Sequence, residues 1–68
     1  MKKKFILLDV ERVTNIGTSA DGTTKLEIRY AGRTASGRKR RETRIVRGVV
    51  TNRSFEPDSE GRVTIEYV

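Results

Sequence analysis

The chain has 68 residues, of which 34% are hydrophobic and 35% are charged, and its formal net charge is +6. This length allows one small domain, spanning residues 1–68, with a single core. Because cysteine and histidine are absent, disulfides, thiolate or imidazole metal sites and the usual catalytic base and nucleophile pairs are excluded. Carboxylate pairs could in principle serve glycoside chemistry or magnesium binding, but six of the nine acids fall in predicted turns or on the outward phase of predicted strands. We therefore expect a protein that is not an enzyme and that uses no metal or other cofactor.

The first predicted strand covers residues 5–13, where hydrophobic side chains alternate with others. Val13 lies on the opposite phase from Val10, so one residue must be absorbed between them. This phase slip predicts a bulge or sharp coil near Glu11. Residues 15–22 are rich in glycine, serine and aspartate and predict a turn.

The second predicted strand, residues 23–30, has the clearest alternation in the chain. The side chains expected to face the core are Thr24, Leu26, Ile28 and Tyr30. Residues 31–37 contain two glycines and predict a flexible loop.

Three further elements are predicted in the second half of the chain. Residues 43–46 and 49–55 are read as the third and fourth strands, and residues 57–61 as a tight turn with proline and glycine at its ends. Residues 62–68 are predicted to form the last strand. Its inward side chains are expected to be Val63, Ile65 and Tyr67.

No segment has the 3.6-residue period of an amphipathic helix. The predicted fold is therefore all-β and without helix, a small five-stranded antiparallel meander or barrel. An SH3-like barrel and an OB-like barrel stripped of its helix both fit these elements.

The basic residues are concentrated in residues 33–47, where seven of them and the single acid Glu42 account for the whole net charge of +6. The seven are Arg33, Arg38, Lys39, Arg40, Arg41, Arg44 and Arg47. Residues 38–41 would place positive charge on both faces of any strand. We therefore expect them to stand clear of the core, in a basic hairpin loop at about residues 31–41, as a projecting hairpin end or a mobile loop.

This composition favours nucleic acid as the partner. Arginine outnumbers lysine six to one among the seven residues, and the guanidinium group matches phosphate with two hydrogen bonds. RNA or a ribonucleoprotein is favoured over DNA, because no recognition helix is available for a major groove. Phe55, at the end of a predicted strand, is a candidate for stacking on bases, although burial is the alternative. We expect Phe5, Tyr30 and Tyr67 to pack in the core.

Two alternatives remain open. The chain can be a protein interaction or assembly module, such as a virion or complex component, whose basic segment binds an acidic protein surface. It can also be an engineered scaffold with no native function, since strong turns and regular strands are typical of designs. The sequence does not decide the oligomeric state.

The N-terminal apolar run, residues 5–8, is too short for the core of a secretion signal, and no stretch has the length of a transmembrane helix. We therefore expect a soluble, cytoplasmic protein with no membrane partner.

Residues 10–30, with Val13, Gly22 and Thr24, resemble the first two strands of the small barrel protein of archaeal and eukaryotic small ribosomal subunits. Residues 44–50 resemble that family's third-strand motif of arginine, valine, a basic residue and glycine. The resemblance covers about half of the chain and implies a barrel that is a component bound to RNA. The chain departs from the family by a longer basic loop and by its final hairpin.

Overall fold

The computed structural model describes residues 2–68, which form five antiparallel strands in two sheets and contain no helix. The strands are β1 (Lys3–Leu7), β2 (Val10–Thr18), β3 (Thr23–Arg33), β4 (Lys39–Arg47) and β5 (Val63–Tyr67). One sheet pairs β1 with β5, and the other has the order β2-β3-β4. The all-β prediction is confirmed. The two sheets do not join into a closed barrel, because no strand of one pairs with a strand of the other within residues 2–68.

Residues 5–13 form parts of two strands, so the prediction of one first strand was wrong. The chain turns at Asp9, which has a φ of 55°. The Asp9 carbonyl accepts a hydrogen bond from the Ala31 amide at 2.8 Å, and the Val10 amide donates to the Gly61 carbonyl at 2.8 Å. These bonds direct the chain from one sheet to the other.

The bulge predicted near Glu11 is confirmed. The register of β2 against β3 shifts between Val10 and Arg12, and it shifts again between Asn15 and Gly17. Because β2 continues to Thr18, the predicted turn of residues 15–22 is shorter than expected and occupies only the last four of those residues.

The inward face of β3 is confirmed: Thr24, Leu26 and Ile28 are buried, and Tyr30 is half-buried. The loop predicted at about residues 31–41 is smaller, since β3 runs to Arg33 and β4 begins at Lys39. Backbone pairing continues there because exposed strands need no apolar side chains to form ladder hydrogen bonds. The Thr34 amide donates to the Arg38 carbonyl at 2.8 Å, and the Gly37 amide donates to the Thr34 carbonyl at 2.9 Å. The basic segment is thus a projecting hairpin and not a loop.

The predicted fourth strand, residues 49–55, was wrong. Val50 makes a single antiparallel bridge to Tyr67. Beyond it, the Thr51 amide still donates to the Glu66 carbonyl at 2.8 Å. The Asn52 side chain then replaces the backbone as the partner of β5: its Nδ2 donates to the Thr64 carbonyl at 2.8 Å, and its Oδ1 accepts from the Glu66 amide at 2.7 Å. The predicted turn that follows is confirmed by a hydrogen bond from the Gly61 amide to the Asp58 carbonyl at 3.0 Å.

The core lies between the two sheets, because all five strands contribute to it. Its eight buried hydrophobic residues are Leu7, Val10, Val13, Leu26, Ile28, Val46, Val63 and Ile65. Only one face of the β2-β3-β4 sheet is covered in this way. The opposite face of that sheet is exposed, and we call it the outer face. No helix within residues 2–68 is long and apolar enough to cross a membrane.

Candidate nucleic-acid interface

The strand register determines which side chains lie on the outer face. Residues directly opposite each other across a strand pair share a face, and the face alternates along each strand. Since Leu26 and Ile28 point to the core, the outer face carries Arg12, Thr14, Thr23, Lys25, Glu27, Arg29, Arg33, Lys39, Arg41, Thr43, Ile45 and Arg47.

Three arginines form a row across the outer face. Arg12 lies directly opposite Arg29, and Arg29 lies directly opposite Arg41. Neighbouring strands are about 4.8 Å apart, so the three side chains leave the sheet side by side. Among residues 2–68, none of the three has a carboxylate oxygen within 4.0 Å. We call these residues the arginine row.

The arginine row differs from the pairing in the other sheet. There Lys4 lies directly opposite Glu66, a pairing of opposite charges. Like charges directly opposite each other destabilise a strand pair by up to about 1 kcal/mol. This rule predicts that the arginine row opposes folding.

The hairpin extends this positive surface. A depression beside the row is lined by Arg29, Arg38, Lys39 and Arg41, all of them basic. We call it the basic depression. The Lys39 Nζ lies 3.5 Å from Glu11, in an ion pair whose side chains are both 46% exposed. Because water and salt screen such exposed pairs, Glu11 offsets little of the local field.

Two of the seven predicted basic residues lie on the opposite face of β4. The Arg40 guanidinium lies 5.2 Å from the centre of the Tyr30 ring, and the Arg44 guanidinium lies 5.6 Å from the centre of the Phe5 ring. The Arg44 Nη2 also donates to the Glu42 carboxylate at 3.1 Å. These cations pack on aromatic side chains at the margin of the core.

The same margin holds a coupled pair of titratable groups. The Tyr30 hydroxyl donates a hydrogen bond to the Glu42 carboxylate. This bond, more than the nearby Arg44, lowers the pKa of Glu42 below its ordinary value. Burial, with the bond to Glu42 as a second cause, raises the pKa of Tyr30. Glu42 is therefore bound by its neighbours and does not neutralise the arginine row.

The remaining predicted residues have different positions. Arg33 Nη1 donates to the Gly37 carbonyl at 2.9 Å and so holds the hairpin turn. Arg47 is exposed opposite Thr23, at the far end of the outer face. Phe55 is half-buried and packs against the core. The structure thus brings Arg38, Lys39 and Arg41 together, with Arg33 directly opposite Lys39. It places Arg47 at the far end of the outer face, and it places Arg40, Arg44 and Phe55 away from that face.

Arg12 and Arg29 belong to this surface, although both lie outside residues 33–47, where the sequence concentrates the net charge. The outward phase of Arg29 was visible in the alternation of residues 23–30. The position of Arg12 was not, because the bulge at Glu11 decides on which face it lies.

Residues 2–68 contain no group of three or more acidic side chains that could hold a metal ion. No protein-family model, curated protein or solved structure matches this chain. The resemblance of residues 10–30 to the ribosomal barrel family therefore remains a prediction.

Proposed function

We propose that this chain is a small RNA-binding module of the cytoplasm that contacts phosphates through the arginine row and the basic depression. Its two packed sheets represent an open member of the SH3-like or OB-like barrels. The observation that carries the proposal is a surface depression whose lining, among residues 2–68, is entirely basic: Arg29, Arg38, Lys39 and Arg41. Arg12 continues this surface across the sheet.

Phosphate binding accounts for this arrangement better than a structural role does. Cross-strand arginines repel each other in the free protein, and a bound phosphate between them turns that repulsion into attraction. Arginine also forms paired, charge-assisted hydrogen bonds with phosphate oxygens. Each phosphate that is neutralised releases counterions, so binding is expected to weaken steeply with salt.

Neighbouring residues of β4 provide a matched test. Arg41 belongs to the arginine row, whereas Arg40 packs over Tyr30 on the other face. The variants Arg41→Gln and Arg40→Gln lose the same charge at adjacent positions. Binding of a fluorescein-labelled RNA is measured by anisotropy for both variants and the parent, between 50 and 200 mM salt.

We expect Arg41→Gln to weaken binding more than Arg40→Gln and to reduce the slope of log K against log salt by about 0.9. The variant with alanine at Arg38, Lys39, Arg40 and Arg41 should lose most of the affinity for all sequences alike. If the two single variants lost the same amount of RNA affinity, the affinity would depend only on the total charge of the protein and not on the face that carries it. Unchanged binding by the quadruple variant at low salt would refute the proposal.

A further inference from the structure

The outer face has a second row beside the arginine row, and it is chemically different. Thr14, Glu27 and Thr43 lie directly opposite one another across β2, β3 and β4. We call them the hydroxyl row. Beyond it lie Lys25, directly opposite the exposed Ile45, and, two residues further along, Arg47, directly opposite Thr23. The face therefore presents two cationic lines, the arginine row and a diagonal line from Lys25 to Arg47, with the hydroxyl row between them.

The spacing of these lines suits two phosphate backbones. Arg29 and Lys25 are four residues apart in β3, which at a rise of about 3.3 Å per residue separates them by about 13 Å. The major groove of B-form DNA has a similar width, about 12 Å, so this spacing suits a wide groove and does not by itself choose between DNA and RNA. Glu27, between the lines, repels phosphate and so favours a groove at this position over a backbone.

The hydroxyl row is accessible to a ligand. One surface depression is lined by Glu27 with Arg12, Thr14 and Arg29. A second depression is lined by Glu27, Arg41, Glu42 and Thr43, so two of its four lining residues are acidic. Each threonine of the row thus shares a depression with an arginine. A ligand held by the arginines would lie within reach of both hydroxyl groups.

The aromatic residues show what the outer face does not bind. All four of them, Phe5, Tyr30, Phe55 and Tyr67, are half-buried and pack against the core. Proteins that bind single strands stack the bases on exposed aromatic rings. Since the outer face has no such ring among residues 2–68, it is suited to backbones and grooves and not to unstacked bases.

We propose that the partner is double-stranded RNA, held across its minor groove; this inference rests on the proposed function. The arginine row binds the phosphates of one strand, and Lys25 and Arg47 bind those of the other. The minor groove of A-form RNA is wide and shallow and displays the 2′-hydroxyl groups. The threonine hydroxyls of the hydroxyl row donate hydrogen bonds to these 2′-hydroxyl groups or accept hydrogen bonds from them. The Glu27 carboxylate accepts hydrogen bonds from the 2′-hydroxyl groups. DNA has no 2′-hydroxyl, so the hydroxyl row distinguishes the two duplexes.

The test compares three ligands of one sequence with the full chain: an RNA duplex of about 16 base pairs, the same duplex in DNA, and one strand of the RNA alone. The parent is compared with the variant Thr14→Val/Thr43→Val, which removes both hydroxyls and keeps the side-chain shape. Valine favours strands, and circular dichroism checks that the variant is folded. Arg40→Gln serves as the control for charge on the opposite face.

The parent is expected to bind the RNA duplex more tightly than either other ligand. The double valine variant should lose about tenfold in affinity for the RNA duplex, because two hydrogen bonds are lost, and should bind the DNA duplex as the parent does. Equal binding of RNA and DNA duplexes, or tighter binding of the single strand, would overturn this inference and leave the proposed function standing. Failure to bind any of the three ligands at low salt would refute both.

Discussion

The Tyr30 hydroxyl donates a hydrogen bond to the Glu42 carboxylate from β3 to β4, on the face opposite the arginine row. The bond keeps the one acid of the basic segment engaged with the margin of the core. Arg44 completes the cluster by donating to both carboxylate oxygens of Glu42, at 3.2 and 3.1 Å. The positive charge on the outer face is consequently left without an acid from its own segment.

This hydrogen bond makes the stability of the protein fall as the pH becomes acidic. Because the folded pKa of Glu42 is lowered, its contribution is present above the ordinary value of 4.5 and is lost as the pH falls through the folded value. Tyr30→Phe removes the largest cause of the shift, so the loss of stability below pH 4.5 should be smaller than in the parent. Urea denaturation midpoints between pH 7 and pH 2.5 measure it.

Tyr67→Phe is the control, since it also removes a half-buried tyrosine hydroxyl. Asp21 and Asp58 also have lowered pKa values, through hydrogen bonds with Thr23 and with the Arg62 and Glu60 amides. These two aspartates cause a loss of stability at acid pH that is the same in the parent, Tyr30→Phe and Tyr67→Phe. If Tyr30→Phe and Tyr67→Phe had the same acid profile, the assignment to Glu42 would be wrong.

Removing the central arginine of the row should stabilise the free protein. Arg29→Thr relieves repulsion from Arg12 and Arg41 and places a good strand former on the outer face. We expect a gain of about 0.5 kcal/mol in the free energy of unfolding at low salt. Urea denaturation at low and high salt measures the gain, which should shrink at 1 M salt.

Lys4→Thr is the counterpart in the other sheet, because Lys4 faces the acid Glu66. Lys4→Thr should slightly lower the free energy of unfolding, whereas Arg29→Thr should raise it. A loss of stability in Arg29→Thr would mean that the arginine row contributes to folding and would contradict a role of the row in holding a ligand.

The buried hydroxyl of Thr24 should contribute strongly to stability. Thr24 is fully buried, and its Oγ1 donates to the Gly48 carbonyl at 2.7 Å. Thr24→Val leaves that carbonyl without this donor, at a cost of about 1 to 3 kcal/mol. The control is the exposed Thr18, whose hydroxyl lies 3.0 Å from that of Thr24. Thr18→Val should lower the free energy of unfolding by less than about 1 kcal/mol. Equal losses in urea denaturation would contradict this ranking.

Two glycines with nearly the same backbone conformation provide another matched pair of positions for a stability measurement. Gly48 has a φ of 154° and Gly17 a φ of 151°, so alanine is strained at both. A Cβ at Gly48 would also lie 2.5 Å from the Val68 carbonyl oxygen and 2.9 Å from the Tyr67 ring, whereas at Gly17 it would meet nothing within 4 Å.

Gly48→Ala should therefore be less stable than Gly17→Ala by about 1 to 3 kcal/mol, the usual cost of overpacking. Thermal or urea denaturation of the two variants gives the difference. Equal stabilities would show that the end of β5 can move away from Gly48 at little cost.

Several features of the fold could be predicted from local patterns. The alternation in residues 23–30 identified the buried face of β3, because side chains alternate between the faces of any strand. The phase slip between Val10 and Val13 predicted the bulge at Glu11 for the same reason. The end of the ladder at Asn52 was missed, because a side chain replaces the backbone there and composition does not show it.

The sequence by itself determined that the net charge lies in residues 33–47 and that residues 38–41 cannot be core. Only the tertiary structure decided which arginines lie side by side. The register of β3 on β4 places Arg29 against Arg41, the bulge brings Arg12 into line, and Arg40 is turned to the other face. Period-two alternation assigns faces within one strand, whereas the alignment of different strands depends on turns, bulges and the shared core.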